Sequence, residues 1–288
     1  MAADVEVLSR RGNVARLALG AYGGLIYIFL FGPIVLLVLF SFNANRYGTL
    51  PITGWTLNWY RAAVDDYQIH DALSTTLKVA GEVTGVSVLV GTTAAFALVR
   101  SRLRWRDGVR IAFVLPIMIP GLLIGVSLLV LFTGTLHWPL SPQTAVIGQS
   151  VYTTPFVILL VSARLQGFDR ALERAAADLG ANAFNRLRLV VLPLILPAII
   201  AGALLAFTLS LDEFIITYFL IGTDITLPIF IYTQIKFGIT PEVNALASLL
   251  LVASLLVLAL AFLLPQVLRA SRRAVRFGAK RRVARVAV

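Results

Sequence analysis

Cysteine is absent from this chain of 288 residues, and histidine occurs only twice. The first absence excludes disulfide bonds and thiolate metal sites. The two histidines, His70 and His137, fall near helix ends on separate predicted loops, so we do not expect them to share a metal ion. Charged residues are also scarce, at 14% of the chain, whereas soluble globular proteins carry about 25%. This shortage argues against a soluble domain.

The patterns of common catalytic sites are missing as well. The chain contains no Walker A pattern, and no G-x-G-x-x-G sequence follows a strand-like run. No serine, histidine and aspartate are arranged as a plausible hydrolase triad. We therefore expect no catalytic residue, no cofactor and no metal, which predicts a protein that is not itself an enzyme.

Long apolar stretches dominate the chain instead. Hydrophobic residues make up 59% of it, and a membrane-spanning helix needs about 20 of them in succession. Backbone polar groups have no water to bind inside a bilayer, so helices are favoured there. The sequence predicts an all-α integral membrane protein with six transmembrane helices in a single membrane domain, 1–288. The predicted spans are 17–45, 73–99, 111–138, 139–163, 189–211 and 243–268.

Two patterns within these spans concern helix shape and packing. Small residues at four-residue spacing let helices approach closely, so we expect Gly81 with Gly85, and Gly121 with Gly125, to lie at helix contacts. Proline removes a backbone donor and bends a helix. Prolines inside predicted spans include Pro33, Pro116, Pro120, Pro155, Pro193 and Pro197.

The distribution of charge predicts the orientation of the helices. Lysine and arginine outnumber aspartate and glutamate by 25 to 14, which gives a formal net charge of +11. Basic residues cluster on one side of the predicted bundle and in the tail 265–288, while the opposite loops hold only Arg46, Arg61 and Lys236. Because basic loops stay in the cytoplasm, both termini are predicted to be cytoplasmic. We interpret the positive charge as a topology signal and lipid-headgroup contact, and we expect no nucleic-acid partner.

A polar segment between the fourth and fifth predicted spans is the most informative part of the chain. Residues 174–193 read RAAADLGANAFNRLRLVVLP. The alanines favour a short helix with little bulk, and Gly180 can take the left-handed conformation that ends a helix sharply. A second short helix is predicted over 181–188. From the residues alone, the segment is either a surface presented to a partner or an ordinary amphipathic loop at the membrane interface.

The spacing within this segment resembles the cytoplasmic coupling motif of ABC-importer permeases. That motif reads Glu-Ala-Ala, three residues, Gly, nine residues, a branched aliphatic residue, one residue, and Leu-Pro. The chain departs from it at the glutamate position, which holds Arg174, with Glu173 one residue earlier. The resemblance implies that the loop 170–188 docks in a groove of a separate ATPase and moves with it. The matching residues are Ala175, Ala176, Gly180, Val190, Leu192 and Pro193.

Two further stretches are similar to permeases of spermidine/putrescine importers: LSLDEFIIT, residues 209–217, and LPIFIYTQIKFGITPEVNALAS, residues 227–248. The resemblance implies a type I ABC-importer permease fold with a core region at 73–264, in the inner membrane of a prokaryote. Its implied partners are two copies of an ATP-binding subunit, a sister permease completing a heterodimer, an extracytoplasmic substrate-binding protein, and membrane lipid. Related permeases for opines, other amines and ferric ion share much of the pattern, so these substrates remain alternatives.

Two acidic residues, Asp212 and Glu213, follow the fifth predicted span. Acids at the end of an apolar helix are costly to bury and usually face a cavity or a partner. Adjacent helical residues point about 100° apart, so we expect one to face a pathway and the other a neighbouring helix or loop. With the aromatic residues Tyr218 and Phe219 they form a candidate contact for a cationic substrate such as a polyamine. An interfacial position or a structural ion pair is the alternative.

Two competing functional classes remain. A proton- or sodium-driven secondary transporter needs ionisable groups near the bilayer midplane, and the predicted spans are almost free of charge at their centres. This argues against that class. A membrane scaffold without transport activity is the second alternative, and it would not depend on the conformation of Gly180.

Overall fold

The computed structural model describes residues 2–46, 51–101, 106–238 and 240–256. Within these residues the secondary structure is helical, apart from an isolated antiparallel bridge between Asn43 and Trp55. This confirms the all-α prediction. The helices are α1 (Ala2–Ser41), α2 (Asn58–Asp65), α3 (Tyr67–Arg100), α4 (Arg106–Val114), α5 (Gly121–Val130), α6 (Pro142–Gln166), α7 (Ala171–Asp178), α8 (Ala183–Arg186), α9 (Leu192–Leu211), α10 (Ile215–Leu220), α11 (Leu227–Phe237) and α12 (Pro241–Leu256).

Four helical stretches in the described part of the chain are long and apolar enough to cross a membrane, and a bent pair makes a fifth if it counts as one span. The last of the four, Ala183–Leu211, joins α8 to α9 through a wider helical turn at Leu187–Val191. The first part of the sixth predicted span, 243–268, falls on α12, whose first residue is Pro241. The end of that span and the basic tail 265–288 lie outside the described residues. The four unbroken stretches are Arg16–Ser41, Tyr67–Arg100, Pro142–Gln166 and Ala183–Leu211.

The third predicted span is broken rather than continuous. Its halves, Gly108–Met118 and Gly121–Thr135, meet at an angle of 100°. Pro116 sits in a tight turn of 3₁₀ helix, and Pro120 directly precedes α5. Proline cannot donate a backbone hydrogen bond and disfavours the helical conformation of the residue before it. Prolines were expected to bend this span, and here two of them close together end one helix and begin another.

The chain divides into two compact units. One comprises Met1–Asp66 and Gln234–Val288, and the other is Tyr67–Thr233. In the first unit, α2 folds back onto the end of α1 and the loop that follows it. The hydroxyl groups of Ser41 and Tyr60 lie 2.6 Å apart, and the Trp59 indole donates to the Asn43 carbonyl over 2.9 Å. These contacts give Trp59 and Tyr60 a structural role.

The second unit is built on α3, α6 and α9. These helices enclose what we call the first core cluster, while α5, α6, α10 and α11 enclose a second one. Side chains from distant parts of the sequence therefore share each cluster. The first core cluster is Ala95, Val157, Val161, Leu165, Val191, Ile195 and Ala206. The second is Ile124, Phe132, Ala145, Ile216, Leu220, Ile221 and Ile229.

Glycines set the distance between the helices of the second unit. A Cβ atom added at Gly91 of α3 would lie 2.7 Å from the Cβ of Val157 on α6, and one added at Gly202 of α9 would lie 3.3 Å from a Val157 methyl group. The expectation for Gly125 is confirmed, because a Cβ there would lie 3.1 Å from the Phe219 ring. The expectation for Gly81 and Gly85 is not met within this chain, since no described atom lies within 4 Å of a Cβ at either position.

This difference predicts opposite effects for two identical substitutions on α3. Gly91→Ala forces the α3–α6 contact apart, and overpacking of this kind costs about 1–3 kcal/mol. Gly85→Ala, the matched control, places its methyl group in open space and favours the helix. Thermal unfolding of the detergent-solubilised protein should show a lower midpoint for Gly91→Ala only. Equal midpoints for the two variants would contradict the packing described here.

Candidate functional sites at the two ends of α9

The segment that resembles the coupling motif forms a short helix, α7, closed by Gly180. The backbone N–H of Gly180 donates to the Ala177 carbonyl over 2.9 Å, and that of Ala181 donates to the Ala176 carbonyl over 3.0 Å. This pair of bonds is the Schellman helix ending, which needs a left-handed residue. Gly180 supplies it with φ +84°. The predicted turn after α7 is therefore present.

The surface of this segment is open. Among the described residues of α7 none is buried. Arg174 and Ala175 are exposed, and Ala176 is half-buried. Apolar side chains beside them are also open, with Leu179 89% and Phe184 65% exposed. Such a surface contains both the small and the large apolar side chains that a partner protein can cover.

Helical structure continues from α8 through the wider turn at Leu187–Val191 into α9. The Asn182 side chain accepts a hydrogen bond from the backbone N–H of Asn185 over 2.8 Å and so caps α8. Leu192 and Pro193, the last two residues of the motif, are exposed in the first turn of α9. Proline has no backbone N–H to donate, and in membrane helices a local widening such as the turn at Leu187–Val191 accommodates it. The motif thus runs from a short surface helix directly into a membrane span.

Arginine side chains hold the neighbourhood of α7 together. We call this end of the second unit the basic end; it includes Arg100 and Arg164. Arg100 forms an ion pair with Glu173 of α7, with one nitrogen–oxygen distance of 2.5 Å. Arg164 donates to the carbonyl of Leu194 in α9 over 3.0 Å. The Arg100–Glu173 pair was not predicted, because its members lie far apart in the chain.

At the other end of α9, the acidic end, the two adjacent carboxylates have different surroundings. Asp212 is exposed. Glu213 is half-buried, and its carboxylate accepts the backbone N–H of Ile216 over 2.8 Å at the start of α10. Burial raises the pKa of Glu213 above its ordinary value, and the backbone N–H groups of Ile216 and Ile215 partly oppose this. The Asp212 carboxylate is thus the more exposed of the two, whereas Glu213 also has a structural role.

Three aromatic rings cluster around Phe214, the residue that follows Glu213. Phe214 lies 5.5 Å from Tyr218 and 4.8 Å from Tyr232 between ring centroids, and the two tyrosines are 6.0 Å apart. We call Phe214, Tyr218 and Tyr232 the aromatic cluster. Tyr218 is 48% and Tyr232 42% exposed. Of the predicted residues, Tyr218 belongs to this cluster, while Phe219 packs against the second core cluster.

A buried polar network holds the acidic end onto α6. The Gln149 side chain donates to the Thr217 hydroxyl over 2.6 Å and accepts a hydrogen bond from Ser210. Thr217 in turn donates to the Glu213 carbonyl over 2.9 Å. Gln149 is only 1% exposed. Because buried polar groups need partners, this network fixes the turn between α9 and α10 and hence the positions of Asp212 and Glu213.

The network predicts a marked loss of stability in Gln149→Leu. The substitution removes the partner of Ser210 and one partner of Thr217, and each buried group left without a partner costs about 1–3 kcal/mol. Gln143→Leu is the matched control, because it makes the same chemical change at an exposed position of the same helix. Thermal unfolding in detergent measures both. Equal shifts in the two variants would show that the Gln149 network does not support the fold.

Comparison with known proteins identifies the class to which this arrangement belongs. Residues 87–277 match the family of binding-protein-dependent transport system inner membrane components. The putrescine transport system permease PotI of Escherichia coli K12 is 37% identical over 232 residues, which cover 78% of this chain and 82% of PotI. The spermidine/putrescine permease PotC of the same organism is 37% identical over 243 residues, covering 84% and 91%.

A solved structure shares the fold. It is a bacterial ABC transporter that imports the acidic polysaccharide alginate; one of its chains aligns with a TM-score of 0.68 at 16% identity, covering 88% of this chain and 96% of that one. The chain therefore belongs to the family of binding-protein-dependent transport system inner membrane components. It is homologous to the permeases PotI and PotC, and its fold is that of an ABC-importer permease.

Proposed function

We propose that this chain is the transmembrane permease subunit of an ATP-driven importer of polyamines, with spermidine and putrescine as substrates. The observation that carries the proposal is the 37% identity with permeases named for putrescine and for spermidine/putrescine, over most of each chain. The permease itself hydrolyses no ATP in this proposal. A separate ATPase supplies the energy, and the permease provides the path through the membrane.

The chemistry of the acidic end supports a cationic substrate. A polyamine is a chain of ammonium groups, which bind carboxylates and the faces of aromatic rings. Asp212 offers an exposed carboxylate, and Tyr218 and Tyr232 offer exposed rings within one cluster. We assign Asp212, Glu213, Tyr218 and Tyr232 to the substrate pathway. Phe219 contributes by packing behind Tyr218, whose ring centroid lies 5.7 Å from its own.

The opposite end of α9 suits a contact with the ATPase. In the proposal, α7 docks in a groove of the ATP-binding subunit and moves when that subunit closes on ATP. Small residues let a helix sit deep in such a groove, and the exposed Leu179 and Phe184 provide apolar surface for the partner to cover. The residues assigned to this contact are Arg174, Ala175, Ala176, Gly180, Leu192 and Pro193.

We propose the complete assembly by analogy with the same family. The chain contributes six transmembrane helices with both termini in the cytoplasm of a prokaryote, in the inner membrane. It forms a single membrane domain, 1–288, with a core region at 73–264 and a basic tail at 265–288 on anionic lipid. Two copies of the ATP-binding subunit, a sister permease in a heterodimer and an extracytoplasmic substrate-binding protein complete the importer. Alternating access by rigid halves of the bundle carries the substrate across.

Uptake into membrane vesicles tests this proposal. Vesicles containing this chain, its ATPase, the sister permease and the binding protein are supplied with ATP and radiolabelled spermidine or putrescine. We expect saturable uptake that requires ATP and is lost when this chain is left out. ATP hydrolysis stimulated by the binding protein without polyamine uptake would reject the substrate and retain the permease function. Vesicles with neither activity would reject both.

Substitutions of Gly180 test the coupling segment. Gly180→Val should lower the uptake per ATP hydrolysed, because a left-handed conformation costs most residues about 1–2 kcal/mol and a β-branched residue more. Gly180→Asn is the matched control, since asparagine tolerates this conformation. Uptake and ATP hydrolysis are measured in the same vesicles. Normal coupling in Gly180→Val would show that the turn after α7 has no part in transport.

Substitutions at the acidic end test the substrate pathway. Tyr218→Ala removes a ring face, and an exposed cation–π contact contributes about 0.5–1 kcal/mol, so the KM for spermidine should rise about two- to fivefold. Tyr218→Phe retains the ring, so its KM for spermidine should remain close to that of the unsubstituted protein.

Asp212→Asn should weaken uptake while the ATPase still assembles. Equal loss of uptake and assembly in Asp212→Asn would assign that carboxylate a structural role.

A further inference from the structure

The glutamate next to the coupling motif is bound within this chain. Glu173 lies one residue before the motif's glutamate position, which holds the exposed Arg174. Adjacent residues of a helix point about 100° apart, so the two charges leave α7 in different directions. The carboxylate of Glu173 contacts Arg100 of α3, whereas Arg174 lies on the open surface.

The contact between Arg100 and Glu173 has a defined geometry. Nη2 of Arg100 lies 2.5 Å from Oε1 of Glu173, and Nη1 lies 3.1 Å from Oε2. Two parallel hydrogen bonds of this kind fix the orientation of the side chains as well as their distance. Lysine, which carries a single ammonium group, cannot reproduce that arrangement. The pair therefore links α7 to α3 through a contact that defines both the distance and the orientation of the two side chains.

The link continues from Arg100 into the core of the second unit. Arg100 is the last residue of α3, and its guanidinium carbon lies 5.1 Å from the centroid of the Phe96 ring, one turn earlier. Phe96 packs against the first core cluster, to which α3, α6 and α9 contribute. A series of direct contacts thus joins a surface helix to the helices of the membrane bundle.

We propose that Arg100 and Glu173 are positioning residues that transmit the movement of α7 to α3 during transport. The inference rests on the proposed function, in which α7 moves with the ATPase. In the described structure α7 buries none of its residues, so its own apolar packing is a weak attachment. The ion pair holds α7 from one side and leaves Ala175 and Arg174 open to the partner.

A double-mutant cycle in the vesicle uptake assay tests the link. The variants are Arg100→Gln, Arg100→Lys, Glu173→Gln and the combination of the two glutamine substitutions, with Arg110→Gln as the control at another exposed arginine. Polyamine uptake, ATP hydrolysis stimulated by the binding protein, and co-purification of the ATPase are measured for each. An ion pair this exposed adds little to the stability of the whole protein, so all five variants should assemble.

We expect each single substitution to lower the uptake per ATP hydrolysed about fivefold, the lower end of the range for coupling between sites. The combined variant should be no worse than either single one, because both remove the same contact. Arg100→Lys should also be impaired, and Arg110→Gln should be unaffected.

Three results would overturn the inference. Additive effects of the two substitutions would mean that the residues act separately. An unchanged ratio of uptake to hydrolysis would mean that the contact transmits nothing. Loss of ATPase co-purification in Glu173→Gln alone would mean that Glu173 binds the partner directly. Absence of stimulated hydrolysis in the unsubstituted importer would instead overturn the proposed function, and this inference with it.

Discussion

The close approach of α3, α6 and α9 around Val157 is the constraint on which the second unit depends. Gly91 and Gly202 approach this side chain from two different helices, and neither position has room for a larger residue without movement. Inside a membrane the hydrophobic effect does not drive helices together, so close packing at small residues has to hold them. The contact positions α9 between the basic and acidic ends, which are separated by about 30 Å of helix at about 1.5 Å per residue.

The two ends of α9 are attached in different ways. At the acidic end, buried hydrogen bonds from Gln149 hold the turn that carries Asp212 and Glu213. At the basic end, α7 lies on the surface and contacts α3 through an exposed ion pair. Buried polar networks make a structure rigid when every member has its partner. This difference suits the proposed function, in which a partner moves α7 at the basic end and a substrate contacts the acidic end.

Local patterns predicted local structure well, and contacts between distant residues were the part that could not be predicted. The apolar lengths predicted the four unbroken spans of the described residues, and the spacing around Gly180 predicted the turn that its φ of +84° provides. The four-residue spacing of small residues did not correctly predict a contact at Gly81 and Gly85 within this chain, because that spacing does not reveal which face of α3 meets another helix. Tyr232, Gln149 and the Arg100–Glu173 pair were missed because their partners lie on other helices. Two nearby prolines indicated a bend at Pro120, but not its size of 100°.

Access to the acidic end during the ATP cycle tests most directly whether the two ends of α9 work together. Because the chain has no cysteine, Ile215→Cys introduces a unique thiol on α10, at a position that is 43% exposed and next to the aromatic cluster. The measurement is the rate at which a charged, membrane-impermeant thiol reagent added from outside labels this residue in the assembled importer. The account predicts faster labelling when the ATPase is trapped with ATP, and protection by spermidine. A labelling rate that stays the same in both nucleotide states, while ATP hydrolysis continues, would contradict it.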